Sequence, residues 1–392
     1  MTILGQEEYL VPPKPSPSLG IPESSSTVNV QIIDTQFADM VQRSTTSLTV
    51  PMATFMGPEQ PGHTSLLGPS ISFLIHHAPT NTRLLFDLGC RKDWKNLSPA
   101  VLNIITSPGW NVEVRKDVVE TLTENGIDVQ AGAINSVIWS HWHYDHTGDP
   151  SKFPASTSLI VGPGFKDAFI PAQSYPSNPD GMILETDFLG REVRQISFER
   201  FIGISGFKAF DFFSDGSFYL LDAPGHTLGH LCGLARVSTE PSTFVFMGGD
   251  AAHHSAQYRP TEYLPLPRQI SPSPLMTYKQ RHVSFCPGEM FASIHGTPEK
   301  YATEPLYRVS EGVAYDSKLA SQTIQDMTLF DADVNVFVVI AHDASLFLEE
   351  VGMTWFPEGD LSDWKKKGWR EKARWGFLKD FEPALVEKGV VL

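Results

Sequence analysis

Cysteine is scarce and dispersed in this chain of 392 residues. Only Cys90, Cys232 and Cys286 are present, and no two of them have Cys-x-x-Cys spacing. An odd, scattered set of this kind is not the framework of a disulfide-stabilised secreted domain. We therefore expect three reduced and mostly buried thiols.

The chain is also poor in positive charge and in long apolar runs. Lysine and arginine number 30 against 45 acidic residues, which gives a formal net charge of −15. Proteins that bind nucleic acids show a basic surface, so the charge argues against such a partner. No apolar run approaches the roughly 20 residues of a membrane-spanning helix, and the first eight residues lack the features of a secretory signal. We expect a cytoplasmic protein without a membrane span that acts on a small molecule, with a homodimer left open.

Apolar residues are abundant enough for a large folded domain. Hydrophobic residues make up 41% and aromatic residues 11% of the chain. Strand signals occur at residues 28–33, 71–75 and 83–86, and a helical pattern covers residues 114–122. Strands that alternate with helices favour an α/β fold in which two sheets lie between helices. We expect an extended N-terminal arm (1–27), a catalytic domain (28–350) and a C-terminal helical extension packed on that domain (351–392).

The most informative stretch is the hexapeptide His-Trp-His-Tyr-Asp-His at residues 141–146. It follows an apolar run, 134–139, that is typical of a buried strand. Side chains two apart in extended backbone share a face, so His141 and His143 should point the same way. Asp145 and His146 come where the chain must turn and can diverge toward a second centre. Neutral imidazole and carboxylate are the usual protein ligands of zinc and similar metals. This density of ligands favours a metal site over a cluster of surface histidines.

Three further candidate ligands follow apolar runs later in the chain. His226 lies in a Pro-Gly-His-Thr turn, Asp250 follows Gly248 and Gly249, and His342 ends the run 336–341. Groups at strand ends are held rigidly, as a catalytic site requires. The two glycines allow the backbone to approach a bound ion or substrate closely.

In this order the motifs resemble the metallo-β-lactamase superfamily, from residue 29 to residue 348. The resemblance implies a four-layer αββα sandwich and a dinuclear metal centre. By similarity, the first metal ion is held by His141, His143 and His226, the second by Asp145, His146 and His342, and both by Asp250. Zn2+ is the favoured metal, with Mn, Fe and Co as alternatives.

Ligand identity points to one branch of this superfamily. No cysteine occupies a ligand position, and the all-His/Asp set is most similar to the quorum-quenching lactonases. These usually carry a tyrosine three residues after the bridging aspartate, where this chain has His253. The resemblance also makes Asp87, in Phe-Asp-Leu-Gly, a residue that orients a ligand histidine.

Such a centre implies hydrolysis of an acyl bond. Two cations about 3.5–4 Å apart share a water, lower its pKa and yield a bridging hydroxide. Asp145 is the natural carrier of a proton to the leaving group, and Asp250 is the second catalytic carboxylate. A lactone or related lactam of a small molecule is the leading substrate. The alternatives are a thioesterase for carrier-bound or coenzyme A thioesters and, in a different class, a mononuclear iron dioxygenase.

Three segments resemble insertions around the site. Residues 40–70 could fold over the metals, and the proline-rich segment 251–311 is long and irregular, which is often a sign of function. His253, His254 and Tyr258 at its start are candidate substrate contacts, although packing alone would explain them equally well. The third segment, 355–381, interleaves tryptophans with lysines and arginines. A docked C-terminal helix is favoured there over a helix on a membrane surface.

Overall fold

Two six-stranded sheets form the centre of the protein. The computed structural model describes residues 8–34, 48–312 and 314–391. In spatial order, the strands of the first sheet are Asn29–Asp34, Ile71–His77, Thr82–Phe86, Ser136–Ile138, Ser158–Val161 and Val193–Gln195. Those of the second sheet are Ile202–Ile204, Phe207–Asp211, Phe218–Asp222, Leu231–Thr239, Ser242–Met247 and Val336–Val339.

The main hydrophobic core lies between the two sheets. Phe73 and Phe86 of the first sheet belong to the same buried cluster as Phe218 and Met247 of the second. Side chains alternate across a strand, so each sheet also has an outer face that a second layer must cover. Helices provide that layer on both sides.

The helices pack against the outer faces of the sheets. Ile324 and Phe330 of the longest helix, Ser317–Ala332, pack against the second sheet, and Val118 and Leu122 pack against the first. This confirms the predicted αββα sandwich. The remaining α-helices are Pro99–Ile105, Val118–Glu124, Tyr144–Thr147, Phe165–Phe169, Met276–Gln280, Trp364–Lys367, Trp369–Ala373 and Glu382–Glu387. Short 3-10 helices cover Met52–Thr54, Ala78–Thr80, Trp94–Asn96, Pro150–Lys152, Glu185–Asp187, Ser255–Gln257, Gly288–Ile294, Pro298–Lys300, Ala344–Phe347 and Gly376–Phe381.

The helix expected at residues 114–122 begins later than its apolar pattern suggested. It covers Val118–Glu124, because Asp117 and Glu120 form a reciprocal capping box at its N-terminus. Asp117 accepts a hydrogen bond from the Glu120 amide, and the Glu120 side chain accepts one from the Asp117 amide. A capping box fixes the first residue of a helix more strongly than apolar spacing does.

Three small sheets lie outside the central sandwich. Strand Leu48–Pro51 pairs with Ser65–Gly68 and with Asn111–Val112. The other two sheets pair Met56–Gly57 with Arg308–Val309 and Gln269–Ile270 with Cys286–Pro287. Residues 40–47 of the predicted insertion, and residues 1–7 of the predicted arm, lie outside the described part of the chain.

The C-terminal segment runs along the first sheet as irregular chain and short helices. Backbone hydrogen bonds join Ile32 to Phe356 and Gly359, and Val30 to Leu361. This contact covers the outer edge of strand Asn29–Asp34, which is the terminal strand of its sheet. Trp364 and Trp369 are buried in the main core, so these aromatic side chains are not available to a membrane surface.

A buried ion pair joins the C-terminal segment to two other parts of the chain. Arg259 donates two hydrogen bonds to the carboxylate of Asp331, at 2.8 and 2.6 Å, and a third to the carbonyl oxygen of Arg374 at 2.8 Å. Arg370 donates to the carbonyl oxygen of Asp331 at 2.8 Å. The segment after Asp250, the longest helix and the C-terminal segment therefore meet at Asp331.

Two further expectations concern the cysteines and the membrane. All three thiols are unpaired and buried, as predicted. Within the described ranges, the longest apolar helices fall short of what crossing a bilayer requires.

Candidate metal centre

Two residues separate strand Ser136–Ile138 from the start of the histidine-rich hexapeptide. His141 lies in a bend, and His143 immediately precedes the short helix Tyr144–Thr147. The indole nitrogen of Trp139 donates to the Thr147 carbonyl oxygen at 3.1 Å, which fixes this turn from inside the core. The change from bend to helix sends the side chains before and after Tyr144 toward two different groups of potential metal ligands.

The first group consists of His141, His143, His226 and Asp250. Their ligand atoms all lie within 4.8 Å of one another. Nε2 of His226 is 3.2 Å from Nε2 of His141 and 3.0 Å from Nδ1 of His143. Burial holds the pKa of His141 and His226 well below its usual range and lowers that of His143 to about 4. The three imidazoles are therefore neutral at physiological pH, which is the form that binds a divalent cation.

The second group consists of Asp145, His146, His342 and, again, Asp250. Nε2 of His342 lies 3.0 Å from Oδ1 of Asp250 and 3.5 Å from Oδ2 of Asp145. Burial disfavours the charged imidazolium of His146 and His342, but the neighbouring carboxylates outweigh it and raise both pKa values. A bound cation would take the place of the protons on these two imidazoles, and the two carboxylates would attract it.

Asp250 connects the two groups through its two carboxylate oxygens. Oδ1 lies 3.2 Å from Nε2 of His146, and Oδ2 lies 3.5 Å from Nε2 of His226. Its backbone amide donates to Nε2 of His230 at 3.0 Å. Gly249 precedes it with a φ of +50°, and a Cβ there would lie 2.9 Å from Cβ of Ser140. The glycine is required because the chain passes so close to the histidine-rich turn.

Asp87 supports both Ser140 and His146. Its carboxylate accepts hydrogen bonds from the amide and hydroxyl of Ser140, at 2.6 and 2.7 Å, and from Nδ1 of His146 at 2.8 Å. These contacts turn Nε2 of His146 toward Asp250. This is the orienting position that the sequence predicted for Asp87.

We predict that Asp87→Asn weakens metal binding at the second group by about 10–100-fold, the usual effect of losing a group that orients a ligand. The amide side chain of asparagine cannot accept all three hydrogen bonds. Asparagine does tolerate the positive φ of 58° at this position, so the backbone should not change. Competition with a chromogenic chelator measures the affinity of each metal ion. Affinity at the first group should fall less, because Asp87 reaches His141 only through the Ser140 hydroxyl. Unchanged affinity for both ions would remove Asp87 from this role.

An apolar cavity of about 240 Å³ lies directly over the two groups. Its floor includes His143, Asp145, Asp250 and His342, and among the described residues no lysine or arginine lines it. The walls come from the described part of the first insertion and from helix Pro99–Ile105 and its neighbours. They are Leu48, Val50, Thr54, Phe55, Leu66, Gly68, Val101, Ile104, Ile105, Trp110, Trp142, Tyr144, Met182 and His253.

His253 is the one predicted substrate contact that lines this cavity. Its Nε2 lies 3.4 Å from Oδ2 of Asp250, and its ring packs 4.6 Å from that of Phe55. His254 points elsewhere, because its Nε2 bonds to Oδ2 of Asp380 at 3.1 Å. It lines a separate cavity and is not placed for substrate contact.

Tyr258 does not fit the predicted contact with substrate. It is fully buried in the core beneath the second sheet, and its hydroxyl pairs with Oγ of Ser255 at 3.1 Å. Burial raises its pKa above the usual range. The physical reason is the 3-10 helix Ser255–Gln257, which turns the chain away from Asp250. Of segment 251–311, His253 alone is among the residues that line the cavity.

Comparisons with known proteins give a consistent result. No protein-family model matches the chain. Gamma-lactamase FDB1 of Fusarium pseudograminearum (strain CS3096) is 40% identical over 376 residues, which cover 94% of this chain and 86% of that protein. Metallo-hydrolase mfmC of Annulohypoxylon moriforme is 41% identical over 375 residues, covering 95% and 92%. A solved structure of B. thuringiensis AiiA with N-decanoyl-L-homoserine at its active site matches 85% of this chain and 98% of its own, with a TM-score of 0.51 and 14% identity.

Proposed function

The chain belongs to the metallo-β-lactamase superfamily and is a metal-dependent hydrolase. From this premise we propose that it uses two bound divalent cations to open the ring of a compact, apolar lactone or lactam. The names of its relatives, a gamma-lactamase and a metallo-hydrolase, support hydrolysis of a cyclic acyl bond. One observation carries the proposal. The two groups of ligands share Asp250 and form the floor of a single apolar cavity.

The shape and chemistry of this cavity restrict the substrate. Its 240 Å³ is below the roughly 300–1,000 Å³ of most ligand pockets, so a compact molecule is favoured. Among the described residues no lysine or arginine lines the cavity, so its walls offer no side-chain counter-charge for phosphate groups. A coenzyme A thioester carries several such groups, which makes the thioesterase alternative the weaker one.

The donor set suits a pair of divalent cations. His141, His143 and His226 would hold one, Asp145, His146 and His342 the other, and Asp250 both. When bound, such a pair supplies an activated water and polarises the scissile carbonyl group. Zn2+ accepts every ligand type in this set.

The protein's own residues complete the chemistry. Asp145 lines the cavity and directs Oδ2 toward His342, which leaves Oδ1 to take up a proton and return it to the leaving oxygen or nitrogen. His253 stands where Nε2 can donate to the carbonyl oxygen of the substrate, in the position that a tyrosine occupies in similar lactonases. The apolar walls exclude water, which strengthens each of these electrostatic contacts.

A matched substrate panel tests this function. We expect the zinc-loaded protein to hydrolyse an apolar bicyclic lactone and its lactam analogue much faster than an acyl-coenzyme A. Removing the metal with a chelator should abolish turnover, and added Zn2+, Mn2+ or Co2+ should restore it. Preference for the thioester would instead establish a thioesterase. A single bound iron with oxygen consumption would establish a dioxygenase.

A further inference from the structure

A second cavity, of about 320 Å³, borders the first and shares Leu66 and His342 with it. Its lining is more polar, and three potential metal ligands meet there from distant parts of the chain. His63 precedes strand Ser65–Gly68, His254 begins the 3-10 helix after Asp250, and Asp380 belongs to the C-terminal segment. One ligand atom from each lies within 4.8 Å of the other two.

We propose that His63, His254 and Asp380 form a third metal site, which binds Zn2+. Two imidazoles and a carboxylate are a ligand set that zinc uses in proteins. The hydrolytic chemistry proposed for the main centre uses none of these residues. The site is therefore independent of whether that proposal holds.

The charges of His63 and Asp380 suit a cation at neutral pH. Burial, followed by the neighbouring His254, lowers the pKa of His63 to about 4, so its imidazole is neutral. Burial alone would raise the pKa of Asp380, but its hydrogen bond to His254 outweighs this effect and lowers it. The Asp380 side chain is 29% exposed. Solvent in the cavity can thus provide a fourth ligand.

His63 also has the kind of partner that orients a zinc ligand. Its Nδ1 lies 2.7 Å from the hydroxyl oxygen of the buried Tyr307. A metal-bound histidine commonly bonds through its other ring nitrogen to a group of this kind. The His63 ring is therefore fixed, and Nε2 is the nitrogen left for the metal.

Zinc must compete with one existing arrangement at His254. Nδ1 of this residue accepts from the Ala256 amide at 3.1 Å, so the neutral ring carries its proton on Nε2 and donates it to Asp380. Binding through Nε2 moves that proton to Nδ1 and breaks the bond to Ala256. One backbone hydrogen bond contributes far less free energy than a zinc–imidazole bond. We therefore expect zinc to bind through Nε2 of His254.

Counting zinc in the full-length protein tests the proposal. The protein is stripped with a chelator, titrated with Zn2+ against a chromogenic competitor, and assayed for bound metal. Asp380→Asn and His63→Gln should each bind one zinc ion fewer per chain than wild type. In an Asp250→Ala background, the zinc ion at the third site should remain and should disappear on adding Asp380→Asn.

His295→Gln is the matched control. His295 is also buried, but its ring nitrogens bond to the carbonyl oxygens of Thr297 and Glu304 and it belongs to none of the three groups. The zinc content of the His295→Gln variant should equal that of wild type. Equal zinc content in wild type, Asp380→Asn and His63→Gln, with folding verified by circular dichroism, would overturn the third site.

Discussion

Asp250→Ala should reduce kcat/KM by at least about 1,000-fold, or roughly 4 kcal/mol of transition-state stabilisation. Asp250 is the only residue that belongs to both groups of the main centre. Without its carboxylate, two cations would face each other with no negative charge between them, so at least one should be lost. The variant should still fold, because Asp250 follows strand Ser242–Met247 and contributes nothing to the packing between the sheets.

Elemental analysis and steady-state kinetics measure the two effects together. Asp222→Asn is a suitable control, since Asp222 also ends a strand of the second sheet but lies in neither group. It should retain wild-type metal content and turnover. Near-wild-type activity in Asp250→Ala would exclude the shared role of this carboxylate.

Asp331→Ala should lower the free energy of unfolding by about 3–5 kcal/mol. Asp331 and Arg259 are each 3% exposed. Removing the carboxylate leaves the Arg259 guanidinium buried without its counter-ion, near Arg370 and Arg374. Metal content should change little at temperatures where the variant is folded.

Urea denaturation of the metal-loaded protein provides the measurement. The control is Glu124→Ala, which breaks the exposed pair between Lys116 and Glu124. Exposed pairs contribute little to stability, so that variant should unfold at the wild-type urea concentration. A loss in Asp331→Ala no larger than in this control would show that the buried pair is dispensable.

The two groups of potential metal ligands were predictable because their signals are local. His141, His143, Asp145 and His146 lie within six residues, and His226, Asp250 and His342 each follow an apolar run that ends at the same edge of the sandwich. The sandwich itself followed from the alternation of strands and helices and from the family resemblance. For these residues, the residue type and its position at the end of a strand are enough to predict the site.

The walls of the cavity were not predictable from the sequence. Leu48, Phe55 and Trp110 come together only through the small sheet that joins residues 48–51 to 65–68 and 111–112, whose strands are too short to leave a periodic pattern. The prediction that Tyr258 contacts substrate was wrong for a related reason. Its distance of eight residues from Asp250 suggested proximity, but an intervening 3-10 helix directs it into the core. Long-range pairing and local turns of this kind depend on tertiary structure.

The C-terminal segment along strand Asn29–Asp34 also bears on self-association. An uncovered terminal strand offers a row of free amide and carbonyl groups, with which a strand of another molecule can pair. Here the Ile32 amide donates to Gly359, and the carbonyl oxygens of Ile32 and Val30 accept from the amides of Phe356 and Leu361. Displacement of residues 356–361 would expose this edge to pairing with a strand of another molecule, and we would then expect aggregation.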